Sequence, residues 1–219
     1  NIGIYREIKD FIKKNAKNSV KIIAISKNHP RESVNEAISA GVRVFGENRV
    51  QEAQDKFLPL RLDYQDIELH LTGPLQTNKV KQALKMFDVF QTLDREKLAK
   101  EFFKYQNESK NKKFFVQINT GKEKNKSGVF PEDSSDFIKY CTSDLKFYID
   151  GLMCIPPINE DPNEHFGLLK IIAEKNNIKN LSMGMSSDYE CGITCGATHI
   201  RIGTKLFGKR NELSLFNNI

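Results

Sequence analysis

Short apolar runs recur along this chain at residues 21–26, 42–46, 67–72, 88–93, 114–119, 151–155, 181–183 and 198–202. Runs of that length between polar and turn-forming residues predict strands, and their near-continuous apolarity predicts burial on both faces, as in a parallel sheet. Between them the apolar positions fall at helical spacing. Val34, Ala37 and Ile38 precede Gly41, which suits a helix C-terminus, and Val80, Ala83, Leu84 and Phe87 share one face of a later helix. Start signals accompany this pattern. Asp94 stands where it would cap a helix stapled by Leu93 and Leu98 and continued by Phe102 and Tyr105; Asp161, Pro162 and Glu164 mark another start; Ser187 and Glu190 have the spacing of a capping box. The opening "NIGIYREIKDFIKK" carries acids among its apolar positions and reads as a helix rather than a signal peptide.

Strands alternating with helices imply parallel pairing through right-handed crossovers, and eight such units in 219 residues match the compact end of the (β/α)8 TIM barrel range. An open doubly wound sheet is the alternative architecture. No linker or low-complexity segment divides the chain, and the polar stretch "NTGKEKNKSGVF" at 119–130 is short enough to join a strand to its helix. A single α/β domain over residues 1–219 is therefore expected.

Composition narrows the class. The chain is 39% apolar and 28% charged, with no apolar run long enough to span a bilayer. Its four cysteines form no C-x-x-C pair, and its four histidines show no metal-ligand spacing, so a reduced, cytoplasmic, metal-free protein is expected. Cys191 and Cys195 read as small core fillers. The net charge of +6 permits attraction to phosphate, but without a basic run or a reading motif it does not indicate a specific nucleic-acid partner.

In a barrel of this kind the chemistry sits at the C-terminal ends of the strands. Those ends carry Lys27, "GEN" at 46–48, "HLTGP" at 70–74, "NTGKEKNKSG" at 119–128, "CIPP" at 154–157, "MGMSS" at 183–187 and "RIGT" at 201–204. A lysine at the mouth of a buried strand loses hydration, which favours the neutral amine that attacks carbonyls; the plainer alternative is a stem packed on the barrel mouth with its ammonium in water. Ser186, Ser187, Gly203 and Thr204 stand at two successive strand-to-helix junctions, where backbone N–H groups and hydroxyls can receive a phosphate or simply cap helices. His70 reads as a hydrogen-bonded structural histidine, and Glu47 as a partner for a neighbouring base.

The segments "AISKNHP", "GVRVFGENRVQE", "LHLTGPLQTNK", "QINTGKEKNKSG", "GLMCIPP", "LSMGMSSDYE" and "HIRIGTKLFG" run in order from about residue 20 to 208. Together they resemble the pyridoxal phosphate homeostasis proteins, also called the YggS or PROSC family, which are related to the N-terminal barrel of alanine racemase. The resemblance implies that Lys27 carries pyridoxal 5'-phosphate as an aldimine. It implies that Ser186, Gly203 and Thr204 bind the phosphate, that Arg201 faces the pyridine nitrogen, and that Asn48 and Met183 line the cofactor pocket. Lys126 matches a second lysine implicated in handling the cofactor. His29 departs from the family, many of whose members carry another lysine two positions after the first.

An arginine opposite the pyridine nitrogen, having donors and no acceptor, favours an unprotonated ring and so a weaker electron sink. Only eleven residues follow Gly208, so the C-terminal β-domain that supplies a second acid–base group in the racemases is expected to be missing. The leading expectation is a monomeric cytoplasmic protein that holds and supplies pyridoxal 5'-phosphate, with cofactor-dependent apoenzymes as partners, no membrane and no significant turnover. A low-activity amino-acid racemase is the alternative. A phosphate-binding barrel using Lys27 for aldolase-like chemistry is a third class, and a nucleic-acid binder a distant fourth.

Overall fold

In the computed structural model, which describes residues 1–209, eight parallel strands close into a barrel in sequence order. They are β1 (Lys21–Ile25), β2 (Val44–Glu47), β3 (Glu68–Leu71), β4 (Val89–Leu93), β5 (Lys113–Ile118), β6 (Gly151–Cys154), β7 (Asn180–Ser182) and β8 (His199–Ile202). Each lies within two residues of an expected run. The closing seam pairs Lys21 with His199 and Ala24 with Ile202, which excludes the open sheet.

An additional helix, α1 (Ile2–Asn15), precedes the barrel, as the opening pattern predicts. The remaining helices are α2 (Arg31–Ser39), α3 (Val50–Asp63), α4 (Val80–Leu84), α5 (Glu96–Lys104), α6 (Gln106–Ser109), α7 (Ser134–Lys139), α8 (Pro162–Lys175), α9 (Tyr189–Thr194) and α10 (Thr204–Phe207). Gly41 ends α2 at φ 94°, a left-handed conformation that glycine adopts without strain. Asp161 caps α8 by accepting the N–H of Asn163 at 3.0 Å.

Two expected caps are otherwise engaged. Asp94 does not cap α5: its carboxylate accepts from Arg95 at 2.8 Å and from the Gly128 N–H at 3.2 Å, tying the loop after β5 to the end of β4. Ser187 and Glu190 form no capping box either. Asp188 accepts the Met185 N–H at 2.6 Å and delays the start of α9 to Tyr189, while Glu190 receives the Tyr189 hydroxyl. In both places a loop contact outcompetes the local signal.

The main core lies between the outer face of the barrel and the helices, and contains Ala24, Phe45, Leu69, Val116, Leu152 and Ile200. Phenylalanine sets its geometry where α5 meets β4 and β5: the Phe102 ring stands edge-on to Phe90 and Phe114 at 4.8 and 4.9 Å. Cys191 and Cys195 pack against the margin of this core, half-buried, with their thiols 2.9 and 3.5 Å from Asn163 Oδ1. Among the described residues no helix is long and apolar enough to cross a membrane.

Strand alternation turns the other residues inward, where Val89, Phe115 and Met153 form a small apolar cluster. Beside it lie polar groups: Glu68, His70, Gln91, Ser182, His199 and Arg201. The contact between Ser182 on β7 and Gln91 on β4, at 2.6 Å, crosses the lumen between strands that are not neighbours in the sheet. His70 donates and accepts within this interior, as expected for a structural histidine.

Burial holds His199 well below the usual histidine range, at about 3, with His70 and Lys21 pushing in the same direction. In the unfolded chain the imidazole takes its proton near pH 6.5, so the native state binds fewer protons between those limits, and its stability falls as the pH falls through them. Between about pH 5.5 and 4, wild type should lose about 1.4 kcal/mol per pH unit more than His199→Gln. Urea unfolding across that range gives both slopes; equal slopes would place His199 in water.

Candidate functional site

The chain leaves β1 through Ser26, Lys27 and Asn28. The reversal is local: Asn28 sits at φ 61°, a left-handed conformation that asparagine tolerates better than most residues, and the His29 N–H returns to Ser26 O at 3.1 Å. Buried charges hold the flanks of Lys27. The Lys56 ammonium on α3 donates to Ser26 O at 2.7 Å, to Glu47 at 2.9 Å and to Glu52 at 2.6 Å. Glu52 also accepts the Asn28 N–H at 2.5 Å, and Glu47 accepts the Ser26 hydroxyl at 2.6 Å. The residues on either side of Lys27 are thus tied to one cluster.

Glu47 is fully buried, and its second carboxylate oxygen has no hydrogen-bond partner. Burial raises its pKa to about 7 against the pull of Lys56. The expectation that Glu47 pairs with a neighbouring base is met by Lys56. Sequence reading did not single out Lys56 or Glu52, although their i, i+4 spacing just beyond "GEN" is the signal that marks them.

Lys27 opens into a pocket of about 260 Å³ with Ile25, His29, Met185, Ser186, Ser187, Arg201, Gly203 and Thr204. One wall is the loop after β7. Gly184 adopts φ 98°, and its carbonyl accepts the Arg201 N–H at 2.9 Å. A Cβ on Gly192 would meet Met183 O at 2.8 Å, so glycine there lets α9 back directly onto this loop. The adjacent wall starts α10, where the N–H groups of Gly203 and Lys205 point to Ser186 Oγ at 3.3 and 3.4 Å. At the floor, Arg201 is almost fully buried and donates to Ser182 Oγ at 2.7 Å and to Cys154 O at 2.8 Å.

The structure therefore brings Lys27, Ser186, Arg201, Gly203 and Thr204 together. Asn48 and Lys126 line an adjoining cavity of about 640 Å³ instead, together with Thr72, Gln117 and Asn119. Asn48 accepts the Thr72 hydroxyl at 3.0 Å. Lys126 projects from a loop folded around Asn119, whose side chain bonds Glu123 through both its donor and its acceptor. Met183 is wholly buried in the outer core, and Met185 is the methionine that borders both cavities. His29 packs against Phe207, ring centroids 5.2 Å apart.

Residues 5–211 match the family model for the alanine racemase N-terminal domain. A protein of Haemophilus influenzae named pyridoxal phosphate homeostasis protein is 38% identical over 205 residues, covering 89% of this chain and 86% of the relative. The chain belongs to the pyridoxal phosphate homeostasis family. PipY of Synechococcus elongatus, solved with PLP bound, superposes with a TM-score of 0.80 at 33% identity, covering 94% of this chain and all of PipY. Alanine racemase from Acinetobacter baumannii shares the fold, with a TM-score of 0.70 at 17% identity over 95% of this chain and 62% of the racemase.

Lys56→Met should leave Glu47 buried beside no cation and destabilise the protein by about 3 kcal/mol. Adding Glu47→Gln should return a substantial part of that loss, because the stranded charge is removed. Chemical denaturation of both variants decides the matter: a double variant no more stable than the single one would mean that Lys56 acts through Ser26, Glu52 and packing rather than by neutralising Glu47.

Proposed function

We propose that this chain binds pyridoxal 5'-phosphate for intracellular cofactor homeostasis, with Lys27 as the covalent attachment point. The observation that carries this reading is the convergence of Lys27, Arg201 and the Ser186, Gly203 and Thr204 junctions on one pocket. Family membership and the PLP-bound PipY structure support it.

The residues suit the group chemically. Lys27 supplies the amine for the aldehyde, Ser186 and Thr204 supply hydroxyls for the phosphate, and Gly203 keeps its side of the pocket open to close backbone approach. Arg201 supplies a donor-only guanidinium to the ring. Burial lowers its pKa, but guanidinium begins so high that it stays charged. When bound, the cofactor would supply an aldehyde for reversible storage, and a ring nitrogen facing Arg201 would be a weak electron sink. Asn48 and Lys126 belong to the wider cofactor region, where Lys126 would meet a cofactor entering or leaving through the larger cavity, whereas Met183 lies behind it in the core and Met185 takes the cavity-lining position.

This reading makes the protein a carrier and buffer rather than a catalyst of amino-acid turnover. It is a cytoplasmic monomer, a single domain over residues 1–219, serving apoenzymes that use the same cofactor and engaging neither membrane nor specific nucleic acid. Residues 210–219 lie outside the described structure.

Mixing the protein with pyridoxal 5'-phosphate should give a visible imine absorption band, and borohydride reduction followed by peptide mapping should locate the adduct on Lys27. Lys27→Ala should lose the band. A band that persists without Lys27 would sink the assignment. Incubation with amino acids in deuterated water separates carrier from racemase: solvent deuterium at the α-carbon at a metabolically useful rate would favour the enzyme.

A further inference from the structure

The lumen of the barrel contains a continuous hydrogen-bond chain that starts at the pocket floor and ends at the opposite mouth. Arg201 reaches Ser182 Oγ at 2.7 Å, Ser182 reaches Gln91 Oε1 at 2.6 Å, Gln91 Nε2 reaches His70 Nδ1 at 2.8 Å, and His70 Nε2 reaches Glu68 Oε1 at 2.6 Å. Lys21 closes the far end on Glu68 at 2.8 Å. The five links draw on β8, β7, β4, β3 and β1. Ser182, Gln91 and His70 are all fully buried, whereas the Lys21 and Glu68 side chains keep about a third of their surface in solvent (34% and 28%).

The chain has only one workable direction. A guanidinium has donors and no acceptor, so Ser182 must accept from Arg201, and its single hydroxyl proton goes to Gln91 Oε1. At the other end an ionised carboxylate only accepts, so His70 must carry its proton on Nε2 and present a bare Nδ1 to the Gln91 amide. The carboxylate end therefore fixes the orientation of the His70 ring and the Gln91 amide, and the Ser182 proton on Gln91 Oε1 completes the same direction up to Arg201. Reversing the Gln91 amide would set the unprotonated Nε2 of His70 against the Glu68 carboxylate. The surroundings agree: burial lowers the pKa of His70, and the His70 hydrogen bond holds Glu68 at about 2.

Among the ion pairs of the described residues none involves Arg201, although it is 3% exposed. Its orientation is set by Ser182 and by Cys154 O, and Gln91, by taking the hydroxyl proton, holds the Ser182 oxygen with a lone pair toward the guanidinium.

We infer that Ser182, Gln91, His70 and Glu68 are positioning residues for Arg201, forming one polarised chain that aims the guanidinium into the pocket from the far end of the barrel. For cofactor binding this rests on the pyridoxal 5'-phosphate reading above; for the aim of Arg201 it does not. The chain makes the pocket floor dependent on a carboxylate that touches no part of the pocket.

Nitrogen-15 NMR on the cofactor-free protein tests the direction and the aim separately from any ligand. The His70 ring in wild type should be neutral and protonated on Nε2; protonation on Nδ1 alone would overturn the proposal. The Arg201 Nε–H resonance should be sharp in wild type and in Ser182→Thr, which keeps the hydroxyl, and broadened or lost in Ser182→Ala. An unchanged Arg201 signal in Ser182→Ala would overturn the positioning role. With pyridoxal 5'-phosphate added, Ser182→Ala should bind about tenfold more weakly, the size of one lost charge-assisted hydrogen bond, and shift the visible band, with Ser182→Thr recovering both. If wild type fails to form the Lys27 adduct, the cofactor reading fails while the NMR outcomes still decide the chain.

Discussion

The lumen of a closed parallel barrel is sealed by its own strands, so any polar side chain turned inward must find its partner across the interior. An unpaired donor or acceptor there costs more than the bond it forgoes, because the group has already lost water. This chain turns a guanidinium, a serine, an amide and an imidazole into that space. They are tolerated because each satisfies the next, from Arg201 at the pocket to Glu68 at the far mouth. The apolar cluster of Val89, Phe115 and Met153 fills the remaining volume and keeps the polar file narrow.

The outer surface of the barrel meets the same problem with different chemistry. Glu47 and Ser26 face outward from β2 and the end of β1, into the space under α3, and Lys56 reaches down to them. A buried ion pair of this kind is weak evidence for stability, since the gain barely exceeds the desolvation of its members. Its effect here is geometric. By fixing Ser26 on one side and, through Glu52, Asn28 on the other, it gives Lys27 a stationary base while leaving its side chain to the pocket. The pocket is thus supported by two polar systems, one beneath Arg201 and one behind Lys27, on opposite faces of the same sheet.

That separation bears on function. A floor made of a charged donor suits a ring nitrogen left unprotonated, which restrains carbanion chemistry, while the amine at the wall suits reversible capture of an aldehyde. On the proposed reading, such a site holds a reactive cofactor rather than spending it on amino acids. The adjoining cavity, with Lys126 at its rim, provides space beside the pocket without enlarging it.

Much of this was legible in the residues taken alone. Apolar runs and turn signals marked all eight strands, because strand burial in a parallel barrel imposes composition directly on sequence. Lys27, Ser186, Gly203 and Thr204 were visible as rim residues, since the end of each strand marks the functional face. Local capping signals were less secure: Asp94 and Ser187 had the right spacing, yet loop contacts at Gly128 and Met185 decided where α5 and α9 begin. The two polar systems were hidden for a different reason. Gln91 and Ser182 are 91 residues apart, and Ser26 and Lys56 are 30 apart. No periodicity links such pairs; they meet only when β8 closes on β1 and α3 folds back over β2. The sequence by itself determined the barrel and the residues at its rim through short-range pattern, whereas barrel closure decided which groups orient them, because hydrogen bonds join atoms that are neighbours in space.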